Sequence, residues 1–83
     1  VNNHIDDVSY MEDDGQTVVA SIRHTSEYYK DGFREGDVVV SVDGRMVSGI
    51  DDFNNIKFTK GKTYKFILKD SRGFNKEIEV NYK

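Results

Sequence analysis

The stretch Gly32–Arg45, reading G-F-R-E-G-D-V-V-V-S-V-D-G-R, constrains the fold more than any other part of this chain. Glycine reaches left-handed backbone angles without a Cβ clash, and Gly32 stands where a helix would end, with Phe33 folding back into the core. Gly36 permits a sharp turn, and Asp37 can accept backbone hydrogen bonds across it. Val38, Val40 and Val42 then alternate as one face of a strand, and Asp43-Gly44 supplies the next turn. A helix stop, a turn, a strand and another turn within so short a span confine the chain to short elements and tight connections. Nothing in the stretch could perform covalent chemistry.

The rest of the sequence has the same texture. Proline is absent, so turns fall to Gly, Asp and Asn. His4 to Met11 reads as a strand with Val8 and Tyr10 on one face. The hairpin turn Glu12-Asp13-Asp14-Gly15 follows, since Asp-Gly tolerates positive φ. Gln16 to Arg23 reads as a strand with Val18, Ala20 and Ile22 inward. Thr25 or Ser26 can cap a short helix over about 25–31. Beyond Gly44, Met46-Val47 extends briefly. Ser48 caps a second helix over about 50–58, with Asp51 and Asp52 in its first turn and Phe53 and Ile56 on its core face. After Gly61, Lys62 to Lys69 carries Tyr64, Phe66 and Leu68 on one side. Asp70-Ser71-Arg72-Gly73 turns the chain into Phe74 to Tyr82, with Ile78, Val80 and Tyr82 inward. The expected order is β-β-α-β-(β)-α-β-β. It predicts an α+β, mostly β domain: a partly open five- to six-stranded barrel or sandwich capped by two helices.

At 83 residues the chain is expected to be one domain, 1–83, near the size at which folding buries only about 60% of the unfolded surface. Its aromatic fraction of 12% argues against disorder. There is no cysteine, hence no disulfide framework or thiolate metal site. No apolar run approaches the ~18 residues of a membrane span. Beginning at Val1 without methionine, the chain reads as a segment of something longer. The net charge of −3 hides an asymmetry: residues 1–52 carry four basic and twelve acidic side chains, net −8, and residues 53–83 carry eight basic and three acidic, net +5. Lys57 and Lys60 suit a helix C-terminus, and strand lysines commonly blunt sheet edges, so no nucleic-acid footprint is expected.

Catalysis needs a constellation, and none is apparent. His4 and His24 have no ligand-spaced partner. Glu12, Asp13 and Asp14 lack the twelve-residue calcium-loop pattern ending in Glu and read as a solvated turn. The serines fall in strand, cap or turn contexts, outside any Gly-x-Ser-x-Gly elbow. No catalytic residue, metal site or cofactor is expected in this segment.

Taken together, the motifs resemble a PDZ domain in the permuted strand order typical of bacterial proteins. Gly32-Phe33-Arg34-Glu35-Gly36-Asp37-Val38-Val39 is similar to the family's Gly-Leu-x-x-Gly-Asp-x-Ile. Ser41-Val42-Asp43-Gly44 is similar to its x-Val-Asn-Gly, and 48–60 to its longer helix. The resemblance covers about residues 17–80 and marks Gly32, Phe33, Gly36, Asp37 and Gly44 as scaffold.

The resemblance implies that an extended peptide adds as a strand in a groove between 4–11 and 50–58, backbone pairing giving affinity and pockets giving selectivity. Carried over position by position, the groove is lined by Ile5, Val8 and Tyr10 from the strand and by Ile50, Asn54 and Lys57 from the helix. A one-residue register decides whether Val8 and Tyr10 or Ile5, Asp7 and Ser9 face it. The family grips a terminal carboxylate with a loop of apolar-Gly-apolar-apolar signature. Here residues 1–7 hold no glycine there, and Asp6 and Asp7 would repel a carboxylate. Three alternatives follow: the loop lies upstream of Val1, internal strands are preferred, or the groove is degenerate. The implied partners are a peptide or unfolded protein segment, C-terminal ones included, and the catalytic domain of a parent chain. Permuted PDZ domains are commonly appended to bacterial proteases, which implies a substrate-tethering or regulatory segment and a periplasmic, cell-envelope or secreted setting. Two rivals remain. One is a structural module that self-associates without a peptide ligand. The other is a small RNA-binding β-barrel, which the acidic first half disfavours.

Overall fold

A computed structural model describes residues 7–82. The fold is mostly β within the α+β class, an open antiparallel sheet of six strands with two short helices. Strands β1 (Val8–Asp13) and β2 (Gln16–Ile22) form a hairpin, helix α1 (Glu27–Asp31) follows, and β3 (Val38–Val42) leads into β4 (Arg45–Met46). Helix α2 (Ile50–Asn54) precedes β5 (Thr63–Lys69) and β6 (Asn75–Asn81). Neighbours run β1-β2-β3-β5-β6, with β4 paired to β3 off that path, so β1 and β6 are the ends of the series. Of the strand expected over 4–11, Asp7 precedes β1, and residues 4–6 lie outside the described residues.

The hairpin and the last two strands form as their patterns dictate. Asp14 (φ 52°) and Gly15 (φ 74°) turn β1 into β2, and Val8 lies fully buried with Tyr10 packed against the same core. Tyr64, Phe66 and Leu68 of β5 and Ile78 and Val80 of β6 are buried in alternation, with Tyr82 against them.

Two strands depart from strict alternation. In β2 the buried residues are Thr17, Val19 and Ile22, while Val18 is half-buried and Ala20 exposed. Ser9 pairs with Ser21 but Tyr10 with Val19, so Ala20 is an extra residue that switches the phase. In β3, Val39 and Val42 are buried while Val38 and Val40 are half-buried. There Val39 pairs with Leu68 and Ser41 with Ile67, leaving Val40 as the bulge. The inward sets expected from period 2, Val18-Ala20-Ile22 and Val38-Val40-Val42, are therefore correct only at Ile22 and Val42, beyond each bulge.

Ser26, not Thr25, caps α1: its Oγ accepts the Tyr28 N–H at 3.1 Å. The helix ends in a Schellman arrangement. Gly32 takes φ 123°, and both the Gly32 and Phe33 N–H groups donate to the Tyr28 carbonyl. Phe33 then enters the core against Phe66, with ring centroids 5.2 Å apart. At Gly36 (φ 88°) the chain turns, and the buried Asp37 carboxylate accepts the Arg34 N–H at 2.8 Å. The same oxygen meets Lys76 Nζ at 2.8 Å, and that ammonium also donates to the Gly32 carbonyl. One lysine from β6 thus fastens both ends of the loop that leads into β3.

Helix α2 is shorter than the sequence suggests, ending at Asn54 instead of Phe58. Asn54 and Asn55 are residue types of low helix propensity, and Ile56 is β-branched. The following segment is held by tertiary contacts. Ile56 is buried, the Phe58 ring lies among Phe53, Tyr64, Phe66 and Tyr82, and the Tyr64 hydroxyl accepts the Thr59 N–H at 2.6 Å. Ser48 is not the cap. Gly49 occupies that position without a side-chain bond, while the Ser48 N–H and hydroxyl donate to the Asp52 carboxylate.

Candidate functional site

The cleft to consider lies where α2 meets β1, the first strand in the sheet order. Two contacts bring the two together, and a third lies beside them. The Tyr10 ring packs on Phe53 with centroids 4.4 Å apart, tilted 44°. Glu12 Oε1 accepts the Ile50 N–H at 3.0 Å. Next to them Thr17 Oγ1 donates to the Ser48 carbonyl at 3.3 Å. The Tyr10 residue is half-buried overall, but its hydroxyl end is deep. Burial, with a smaller contribution from neighbouring Tyr28, pushes that phenol well above its ordinary pKa.

Glu12 and Asp13 end β1, Asp14 lies in the turn, and Asp51 and Asp52 occupy the first turn of α2. The Ser48 hydroxyl and amide bonds, with a lesser pull from Arg45, hold the exposed Asp52 carboxyl below its ordinary value. Such acids stabilise the positive N-terminal end of α2.

The residues expected to line a groove are only partly assembled. Tyr10, Ile50 and Asn54 are half-buried on the two elements that meet. Val8 is fully buried and serves the core. Because α2 stops at Asn54, Lys57 is exposed in the segment beyond it and no longer follows the helical spacing that placed it in the groove. Ile5 lies outside the described residues, as do the positions before it and Asp6 after it; Asp7 is the first described residue. Of the scaffold set, Gly32, Gly36 and Gly44 take positive φ, and Phe33 and Asp37 are buried.

Two contributors escaped sequence reasoning. Glu12, read as part of a solvated turn, instead reaches across to α2. No local pattern marks this contact: the helix starts at Gly49, which has no side-chain acceptor, and its first N–H groups are left to a distant partner. Lys76, to which the sequence analysis assigns no role, pairs with the buried Asp37.

Among the described residues, no group of three or more His, Cys, Asp or Glu could hold a metal ion. His24 stacks on Tyr29 with centroids 4.5 Å apart. A separate open cavity of about 320 Å³ lies between α1 and the β5–β6 pair, lined by Glu27, Asp31, Thr63, Glu79 and Asn81. No helix among the described residues is long and apolar enough to cross a membrane. A scan against protein-family models finds no match, and no curated protein matches the sequence.

Proposed function

We propose that this chain is a non-catalytic, PDZ-like peptide-binding module whose ligand adds as a strand along β1, next to α2. The observation that carries the proposal is the placement of β1 at the end of the sheet with α2 packed against it through Tyr10 and Phe53. The element order, with a short helix between the second and third strands and another before the fifth, supports the permuted PDZ reading. Where an extended segment adds as a strand, backbone pairing supplies affinity and half-buried side chains beside it supply selectivity. In this role the module tethers substrate or gates access for a protease carried by the parent chain, in the periplasm, envelope or exterior of a bacterium.

Chemical-shift titration with random-C-terminus peptides, free-acid and amidated, tests the proposal. Shifts gathered on β1 amides and on Ile50 and Asn54 are expected. Shifts only with the free acid would mark carboxylate recognition, and equal shifts an internal strand. No shift on either element would remove the peptide-binding role. Deleting the module from its parent is expected to spare cleavage of a short peptide while impairing that of folded proteins.

A second reading, self-association without a peptide, draws on exposed large apolar side chains carried by strands, Met11 at 48% and Met46 at 69% exposure. A mass that rises with protein concentration in sedimentation equilibrium would favour it.

A further inference from the structure

We propose that Glu12 is a latch that holds the β1–α2 cleft closed, and that a docking strand must compete with it. The consequence for ligands rests on the peptide-binding reading above, but the latch itself is tested without any ligand.

Helix α2 has only five residues, far fewer than an isolated helix needs in water. Its position therefore depends on what touches it. At its start Gly49 contributes no side-chain cap, and the Ile50 N–H is instead taken by Glu12, thirty-eight positions earlier in the chain. The contact explains the glycine. Gly49 has an ordinary φ of −83°, so backbone freedom is not what it provides. A Cβ built there would stand 2.5 Å from Glu12 Oε1, closer than real atoms approach. Gly49 supplies the room in which the carboxylate reaches the helix.

The two main ties across the cleft differ in kind. Tyr10 on Phe53 is an apolar contact that merges with the core. Glu12 on Ile50 is exposed to solvent, so water competes with it at every moment, and it is the one that can release while the core stays intact. Glu12 is also a residue of β1 itself. Its carboxylate spans from β1 to the start of α2, so a segment inserting between the two elements at this end displaces it from Ile50. A single solvent-exposed hydrogen bond shifts such an equilibrium about two- to tenfold.

Native-state amide hydrogen exchange on the full chain tests the latch. Glu12→Ala is expected to speed exchange at the amides of Ile50 to Phe53 about two- to tenfold while β5 and β6 keep their wild-type rates. Glu12→Gln keeps a carbonyl acceptor and should fall between the two. Gly49→Ala should reproduce Glu12→Ala, yet add little in a chain that already carries Glu12→Ala, because its effect acts through the carboxylate. Unchanged exchange over 50–53 would overturn the latch. So would an equal rise in β5 and β6, which marks global loss of stability, or full additivity of the two substitutions. The free-acid peptide pool, titrated into Glu12→Ala, should then bind more tightly by the same factor. Local opening with no peptide binding by any variant would retain the latch and remove the peptide-binding reading.

Discussion

The loop from Gly32 to Asp37 and the junction of β1 with α2 are both short pieces of chain held by a carboxylate, but they are held differently. Asp37 is buried, caps the Arg34 amide and pairs with Lys76, which also binds the Gly32 carbonyl. Arg34 adds bonds to the Tyr29 and Phe33 carbonyls while lying 3.7 Å over the Tyr29 ring. Glu12 is exposed and makes its one cross-cleft bond to a single amide. A network closed on itself fixes geometry, whereas a lone exposed bond leaves the geometry adjustable. The first region behaves as scaffold, and the second is where a binding event can find a response.

Removing Asp37 should be the largest blow. Breaking a buried ion pair strands the remaining charge and typically costs about 3–5 kcal/mol, and the lower end applies because Lys76 retains partial exposure. Asp37→Ala is therefore expected to lower unfolding stability by about 3 kcal/mol in urea titration, with Asp37→Asn milder because it can still accept the Arg34 amide. A loss as small as that of Glu12→Ala would erase the distinction between the two regions.

Gly32→Ala comes next. The residue sits at φ 123°, and a Cβ there would lie 3.0 Å from Ile78 Cδ1. Left-handed strain in a non-glycine residue costs of order 1–3 kcal/mol, and the Ile78 side chain must also yield. Thermal unfolding should show the loss, with the β1–α2 amides no more affected in hydrogen exchange than the rest of the chain.

These differences track what could be read in the sequence. Gly32, Phe33, Gly36 and Asp37 were legible because their roles are local: a helix end, a sharp turn and an Asx-type bond within a few residues. The alternation of β5 and β6 was legible because their pairing runs without a shift from Thr63–Asn81 to Lys69–Asn75. The inner faces of β2 and β3 were not, since the bulges at Ala20 and Val40 arise from how neighbouring strands meet, and neither residue announces one. The Glu12–Ile50 bond and the Lys76 anchor join distant parts of the chain, and no local pattern encodes either. The extent of α2 was misjudged because Phe58, which has the apolar character of a helix face, is drawn into the core by four aromatic rings from other segments and from α2 itself.

A smaller effect concerns the apolar tie of the cleft. Burial raises the Tyr10 phenol above its ordinary value of 10.0 in the folded protein, so between that value and the raised one the folded chain holds a proton that the unfolded chain has released. Stability is then unaffected below about pH 10 and falls above it, by at most about 1.4 kcal/mol per pH unit for one group. Urea midpoints measured from pH 8 to 11 should show this decline in wild type and a shallower one in Tyr10→Phe. An identical slope in both would mean that the Tyr10 hydroxyl is not deep in the core, and the contrast between a buried and an exposed tie would lose its buried half.

The smallest effect belongs to the exposed side of the junction. Asp52 is held below the ordinary carboxylate value by its bonds from Ser48, so the contribution of this contact is present above the unfolded value of about 3.8 and fades as pH falls through the lowered one. Because the bonds from Ser48 lie at the exposed surface, the response should be local: the Ser48 amide shift follows the Asp52 titration while core resonances of β5 and β6 stay still. Glu12→Ala sharpens the comparison here, since freeing the start of α2 from β1 should weaken the Ser48 bonds and move the Asp52 midpoint upward. A midpoint unmoved by that substitution would show that the Ser48–Asp52 turn is self-contained, and the adjustable part of the junction would narrow to Glu12, Gly49 and Ile50.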